Sequence, residues 1–155
     1  MNPAFLREAI RLSLEKLASN EGGPFGAVVV QDQQIVGRGW NRVTATNDPT
    51  AHAEVVAIRD ACTRLQTFSL AGCEIYCSCE PCPMCLAAIY WSRLDRIYNA
   101  ATCEDAAAIG FDDQNFYGEL AKPAGERSIP MEQSLREEAC VALAAWLTKA
   151  DRVRY

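Results

Sequence analysis

The chain has one histidine, His52, among 155 residues. Any imidazole chemistry must pass through that side chain, and a metal centre built from several histidines is excluded. No apolar run approaches the roughly 20 residues that cross a bilayer, so no membrane partner is expected. Positive charge is in deficit: 15 Lys and Arg stand against 20 Asp and Glu, a net −5. A nucleic-acid backbone calls for clustered Lys and Arg. No nucleic-acid partner is therefore expected, although a local basic patch would escape a whole-chain count. Internal repeats and low-complexity stretches are missing too. Met1-Asn2-Pro3 lacks the charged start of a secretion signal, and Phe5 to Leu17 mixes apolar with charged residues.

Cysteine, by contrast, is plentiful: Cys62, Cys73, Cys77, Cys79, Cys82, Cys85, Cys103 and Cys140. With no secretion signal, these read as free or metal-bound thiols in a cytoplasmic protein. Half of the residues are hydrophobic, enough for one core, and the length suits a single domain spanning 1–155 with 151–155 as a C-terminal tail.

Two short segments carry chemistry. His52-Ala53-Glu54 places a carboxylate two residues after the histidine, and Pro81-Cys82-Pro83-Met84-Cys85 follows thirty residues on. One imidazole and two thiolates make three ligands, with water as the natural fourth, which is the composition of an open catalytic zinc site. Two thiolates offset the charge of Zn2+. Zinc so held lowers the pKa of bound water to roughly 7. On a helix Glu54 points about 200° away from His52, which suits a proton shuttle better than a ligand. H-x-E followed by P-C-x-x-C is the signature of zinc nucleobase deaminases. Two rival readings are weaker. An iron–sulfur cluster on Cys79, Cys82 and Cys85 needs a fourth cysteine where Ile89 stands. A structural zinc on Cys77, Cys79, Cys82 and Cys85 leaves His52 without a role.

Periodicity predicts a helix from Phe5 to near Asn20, a turn at Gly22–Gly26, and a hairpin of Ala27–Val30 with Ile35–Trp40. Thr50 is the predicted N-cap of a helix from His52 to Arg64, whose core face is Val55, Val56, Ile58 and Ala61. A strand over Cys73–Cys79, a helix over Cys82–Trp91 and a strand over Leu94–Ala100 follow. A short helix and loop cover Ala106–Tyr117, and Ser134 caps a last helix ending at Lys149. The alternation predicts an α/β fold, a three-layer α/β/α sandwich with a central mixed sheet. Phe25 reads either as core or as a pocket wall, Trp91 as core, and Asp113 as a solvated or capping carboxylate.

The segments Gly22–Val28, Asn47-Asp48-Pro49-Thr50-Ala51-His52-Ala53-Glu54-Val55, Cys79–Leu86, Ile89-Tyr90-Trp91, Phe111-Asp112-Asp113 and the terminal Tyr155 together resemble the bacterial guanine deaminases of the cytidine deaminase-like superfamily. H-A-E and P-C-x-M-C are shared with the cytosine and tRNA-adenosine deaminases, which remain the alternative. Cys77 stands where a threonine is usual. The resemblance implies hydrolysis of free guanine to xanthine and ammonia, one Zn2+ per chain on His52, Cys82 and Cys85, and Glu54 as the catalytic proton carrier. It implies base contacts from Asn41, Asp113, Tyr155 and the backbone at Ala53, with Phe25 and Trp91 as walls. It also implies a homodimer that exchanges its C-terminal segment, so that Tyr155 closes the site from one chain or the other.

Overall fold

Four segments rich in β-branched and small residues form the sheet: β1 (Gly26–Gln31), β2 (Gln34–Trp40), β3 (Glu74–Cys79) and β4 (Arg96–Ala101). The structure, a computed structural model, describes residues 1–111 and 113–154, with the side chain of Gln114 excepted. The strand order is β2-β1-β3-β4. β1 runs antiparallel to both β2 and β3, and β4 runs parallel to β3. It follows that β2, β3 and β4 share one direction, and their C-terminal ends share one edge of the sheet. In such sheets ligand sites form beyond the carboxyl ends of the strands.

β1 is apolar throughout because both of its faces are covered. Val28 and Val30 pack with Tyr76 against Leu12 of α1 (Pro3–Ala18). Ala27 and Val29 pack with Ile75 and Cys77 against α3 (Ala53–Leu65) and α4 (Pro83–Trp91). Helices on both faces of a mixed four-stranded sheet give the three-layer α/β/α order that the periodicity predicts. Between β2 and α3 lies the one-turn α2 (Val43–Thr46). After β4 come α5 (Cys103–Ala108), α6 (Asp113–Ala121) and α7 (Arg136–Thr148). The chain forms two compact units, Met1–Phe116 and Tyr117–Tyr155. In the second, no residue of α7 is buried.

Several local details differ from the expectations. Residues Val55, Val56 and Ile58 are only half-buried, while Ala53, Ala57 and Ala61 are the buried face of α3. The reason is a close approach of backbones. A Cβ added at Gly39 would lie 2.0 Å from the Ala53 carbonyl oxygen, and one at Gly37 would lie 2.5 Å from that of Ala57. α3 therefore lies directly on β2, and only alanine fits its contact stripe at i, i+4 and i+8. Thr50 is not an N-cap: its N–H and hydroxyl both go to Asp48 Oδ1, at 2.8 and 2.7 Å, and His52 occupies the cap position. Leu135, with φ +52°, stands in the cap position of α7 instead of Ser134. A second helix, α6, begins at Asp113, where a loop is expected.

Gly39→Ala should cost about 3 kcal/mol by urea unfolding, since overpacking against backbone cannot relax by a rotamer change. Gly118→Ala, with nothing within 4 Å of its added methyl, should change stability by less than about 1 kcal/mol in either direction. Equal effects at the two positions would contradict the close approach of α3 to β2.

Candidate active site

Each of the two chemical motifs opens a helix. His52 is the N-cap residue of α3, with φ −69° and ψ 156°, and Cys82 is the N-cap residue of α4, with φ −64° and ψ 167°. Neither side chain caps its own helix, so both are free to serve elsewhere. Pro83 at the first helical position starts α4 without wasting a donor. The histidine loop is held by Asp48. Beyond the two Thr50 bonds, its carbonyl accepts from Ala51 N at 3.1 Å, and Arg42 N donates to Ala51 O at 2.9 Å. This is what the polar run Asn47–Thr50 does: it delivers His52 to the edge where β3 ends and α4 begins.

His52 Nδ1 stands 3.6 Å from Cys82 Sγ. The ligand atoms of His52, Cys82 and Cys85 all lie within 4.8 Å of one another. A tetrahedral zinc with bonds of about 2.3 Å to sulfur and 2.0 Å to nitrogen separates those two atoms by about 3.5 Å. The residues therefore fit the metal. The charges agree. The Cys82 thiol is lowered to about 4 by hydrogen bonding from the Cys85 thiol, then by His52 and the Cys85 backbone N–H. Cys85 is pushed far up by that same thiolate and by burial. Two thiols with only a partial cation nearby share one negative charge. A divalent ion between them lets both ionise, as coordinated thiols do. Contact with Cys82 also holds the His52 pKa up, against burial, with smaller contributions from Glu54 and Asp113.

Glu54 is 8% exposed. Cys85 Sγ lies within hydrogen-bond reach of its Oε2, at 3.3 Å. Burial is the main cause that raises its pKa, so the carboxyl can hold a proton nearer neutrality than a surface glutamate.

A cavity of about 380 Å³ opens on these groups. It is lined by Phe25, Asn41, His52, Glu54, Cys82 and Asp113, together with Pro49, Cys79, Glu80, Met84, Ala106, Phe111 and Phe116. Asn41 is buried, and its Oδ1 accepts from the N–H groups of Gly23 and Val43, both at 3.2 Å. Those bonds fix the side chain and leave Nδ2 as its donor end. Gly22 passes so near that a Cβ there would meet the Asn41 carbonyl oxygen at 2.1 Å. The Phe25 ring meets Phe111 edge-on at 4.7 Å, a wall of two rings. Ala53 is buried under this floor at the start of α3.

The structure thus brings His52, Cys82, Glu54, Phe25, Asn41 and Asp113 to one cavity, with Cys85 buried behind its wall in the ligand cluster. Trp91, expected from the resemblance as a wall, is not among the residues that line this cavity. It lies six residues beyond Cys85, about 9 Å further along α4, and is 63% exposed. It lines a separate open cleft with Phe68 and Cys62. Tyr155 and Asp112 lie outside the described residues. Sequence reading missed Met84, Glu80 and Phe116. Met84 could have been found, since it is one of the two residues enclosed by the C-x-x-C ligands, and Phe116 sits one turn after Asp113.

Comparison with known proteins gives the same answer from another direction. Residues 2–101 match the model of the cytidine and deoxycytidylate deaminase zinc-binding region. The guanine deaminase of Bacillus subtilis is 50% identical over 151 residues, covering 97% of each chain. Its crystal structure superposes with a TM-score of 0.96 over 100% of this chain and 99% of that one. A tRNA-specific adenosine deaminase of Aquifex aeolicus is 33% identical, over 94% of this chain and 93% of its own. The chain belongs to the cytidine and deoxycytidylate deaminase zinc-binding family, as a full-length relative of a bacterial guanine deaminase.

Proposed function

We propose that this protein hydrolyses free guanine to xanthine and ammonia, with one zinc per chain. The observation that carries the reading is the buried Glu54 beside a His/Cys/Cys cluster in a cavity sized for a base. The full-length similarity to a guanine deaminase supports the choice of base. The tRNA-adenosine reading draws on the lower 33% identity, and a net charge of −5 works against a polyanionic substrate.

His52, Cys82 and Cys85 would hold the zinc, which when bound supplies a water activated at neutral pH. Glu54 takes the proton of the attacking water on its carboxylate. It passes that proton to the ring nitrogen beside the amine-bearing carbon, and then carries one to the departing amine. Asn41 Nδ2 donates to the base, the Asp113 carboxylate accepts from it, and the backbone at Ala53 meets an exocyclic group. Phe25, braced by Phe111, packs on the ring and keeps water off it.

The remaining parts of the reading concern assembly. α7 exposes Val141 at 69%, Leu143 at 67% and Leu147 at 68%, a cost in water that a second copy would remove. A homodimer that exchanges its C-terminal segment, with Tyr155 laid over the base, fits that need. Trp91 is retained as a wall contributed across such a dimer. All eight cysteines are free thiols, in keeping with a reducing cytoplasm.

Four outcomes are expected. Ammonia release across a panel of free bases and nucleosides should favour guanine over cytosine, adenine and guanosine; equal turnover of cytosine, or preference for tRNA, would overturn the assignment. Glu54→Gln should keep its zinc and lose about 10⁴-fold in rate, measured with metal content on one sample. The same variant bears on stability in the metal-free protein. The folded pKa of Glu54 is raised, so its carboxyl costs nothing below the unfolded pKa, and stability is lost as pH rises toward the folded value. Urea unfolding should therefore show Glu54→Gln gaining on the parent chain as the pH rises above the unfolded glutamate value of about 4; a gap independent of pH would show that burial does not strain this carboxyl. Deleting 151–155 should leave zinc content and thermal unfolding nearly unchanged while guanine turnover falls by about 10²-fold or more; a truncated chain at full rate would remove the lid.

A further inference from the structure

We propose that this protein carries a second binding site, for a phosphate-bearing anion, in the cleft between β2, α2 and the flank of α3. The cleft has a volume of about 530 Å³ and shares no lining residue with the catalytic cavity. Four guanidinium groups, from Arg38, Arg42, Arg59 and Arg64, face it beside only two carboxylates, Asp48 and Asp60. In a chain of net charge −5 this is a local reversal of sign, the basic patch that a whole-chain count conceals.

The pairing within the cleft is uneven. Arg64 holds Asp60 at 2.9 Å, and Arg38 reaches Glu8 at 3.4 Å. Arg59 meets Asp48 at only 3.6 Å and is 61% exposed, while Asp48 Oδ1 is already engaged by Thr50. Arg42 has no ion pair among the described residues, and its Nε is buried without a hydrogen-bond partner. That nitrogen is closed to solvent, so a ligand in the cleft would meet the two Nη groups, which make no hydrogen bond among the described residues. The Arg42 guanidinium lies 5.8 Å from the centre of the Trp40 ring, which holds the planar fork in one orientation. Trp40 Nε1 donates to Glu21 at 2.8 Å, so the indole itself is fixed. A tetrahedral oxyanion offers several acceptors to Arg42 and to the loosely held Arg59 at once, the arrangement in which arginine exceeds lysine. The cleft's size favours a small phosphate or phosphate monoester over a nucleic-acid strand, which the overall negative charge repels.

The site lies behind the histidine loop: Arg42 N holds Ala51 O, and Asp48 opens the segment leading to His52. An anion taken up by Arg59 would release Asp48 from that pair without touching the catalytic cavity.

The test uses the ¹⁵N-labelled, zinc-loaded full chain, titrated at constant ionic strength with inorganic phosphate, ribose 5-phosphate and a short single-stranded RNA. Saturable shifts of the Arg42 Nε–H and of the Thr46 and Asp48 amides are expected with phosphate or its monoester. Equal affinity for the two assigns free phosphate; a monoester that binds at least about 10-fold tighter assigns a phosphorylated metabolite. Arg42→Ala and the exposed Arg59→Ala should each weaken binding by about 10-fold or more. Shifts reproduced by chloride at the same ionic strength, affinity unchanged in both variants, or RNA as the tighter ligand would each overturn the proposal.

Discussion

The first turn of α3 rests on the backbone of β2 with no side chain between them, and the site depends on that contact. Gly39 leaves room for the Ala53 carbonyl, and Ala53 lies between His52 and Glu54. The sheet thus fixes the height of the imidazole and the carboxylate together. A methyl at Gly39 would lift both, and a lift of about 1 Å is enough to degrade catalytic geometry. Glu54, the next residue on that turn, is buried, and burial is the main cause of its raised proton affinity. Packing, electrostatics and catalysis are here one constraint seen at three scales.

The second half of the site is set by the direction of the strands. β2, β3 and β4 end at one edge, so the helices that follow β2 and β3 start close together. His52 and Cys82 both occupy N-cap positions with nearly the same backbone angles. An N-cap residue usually spends its side chain on its own helix. These two do not, and the orphan N–H groups leave a positive field at both helix starts. That field favours Cys82 as a thiolate before any metal arrives. Cys85, three residues into α4, lies on the same side as its N-cap, as the two partners of a capping box do.

Much of this was legible in the residues. The two-sided burial of β1, the four strands and the H-x-E…P-C-x-x-C spacing follow from apolar runs, turn residues and ligand chemistry. What stayed hidden has physical reasons. Hydrophobic periodicity weighs large side chains, so it chose Val55, Val56 and Ile58 for the core of α3. The alanine stripe was selected instead by Gly37 and Gly39, in a strand that reads as ordinary. Thr50 has the composition of a cap, yet Asp48 two residues before it takes both its donors. Trp91 reads as core from the residues and as a wall only by resemblance; α4 carries it more than a turn and a half past Cys85, where it is exposed. The basic cleft is built from residues spread over Arg38 to Arg64, each paired or spaced so that no cluster shows along the chain.

The central claim is that His52, Cys82 and Cys85 hold a zinc ion with one position left for water. X-ray absorption at the zinc edge of the purified protein tests it most directly. The expected shell has two sulfur ligands near 2.3 Å, and one nitrogen and one oxygen near 2.0 Å. A shell of three or four sulfurs, which would enlist Cys79 or Cys77 and close the site, would contradict the account.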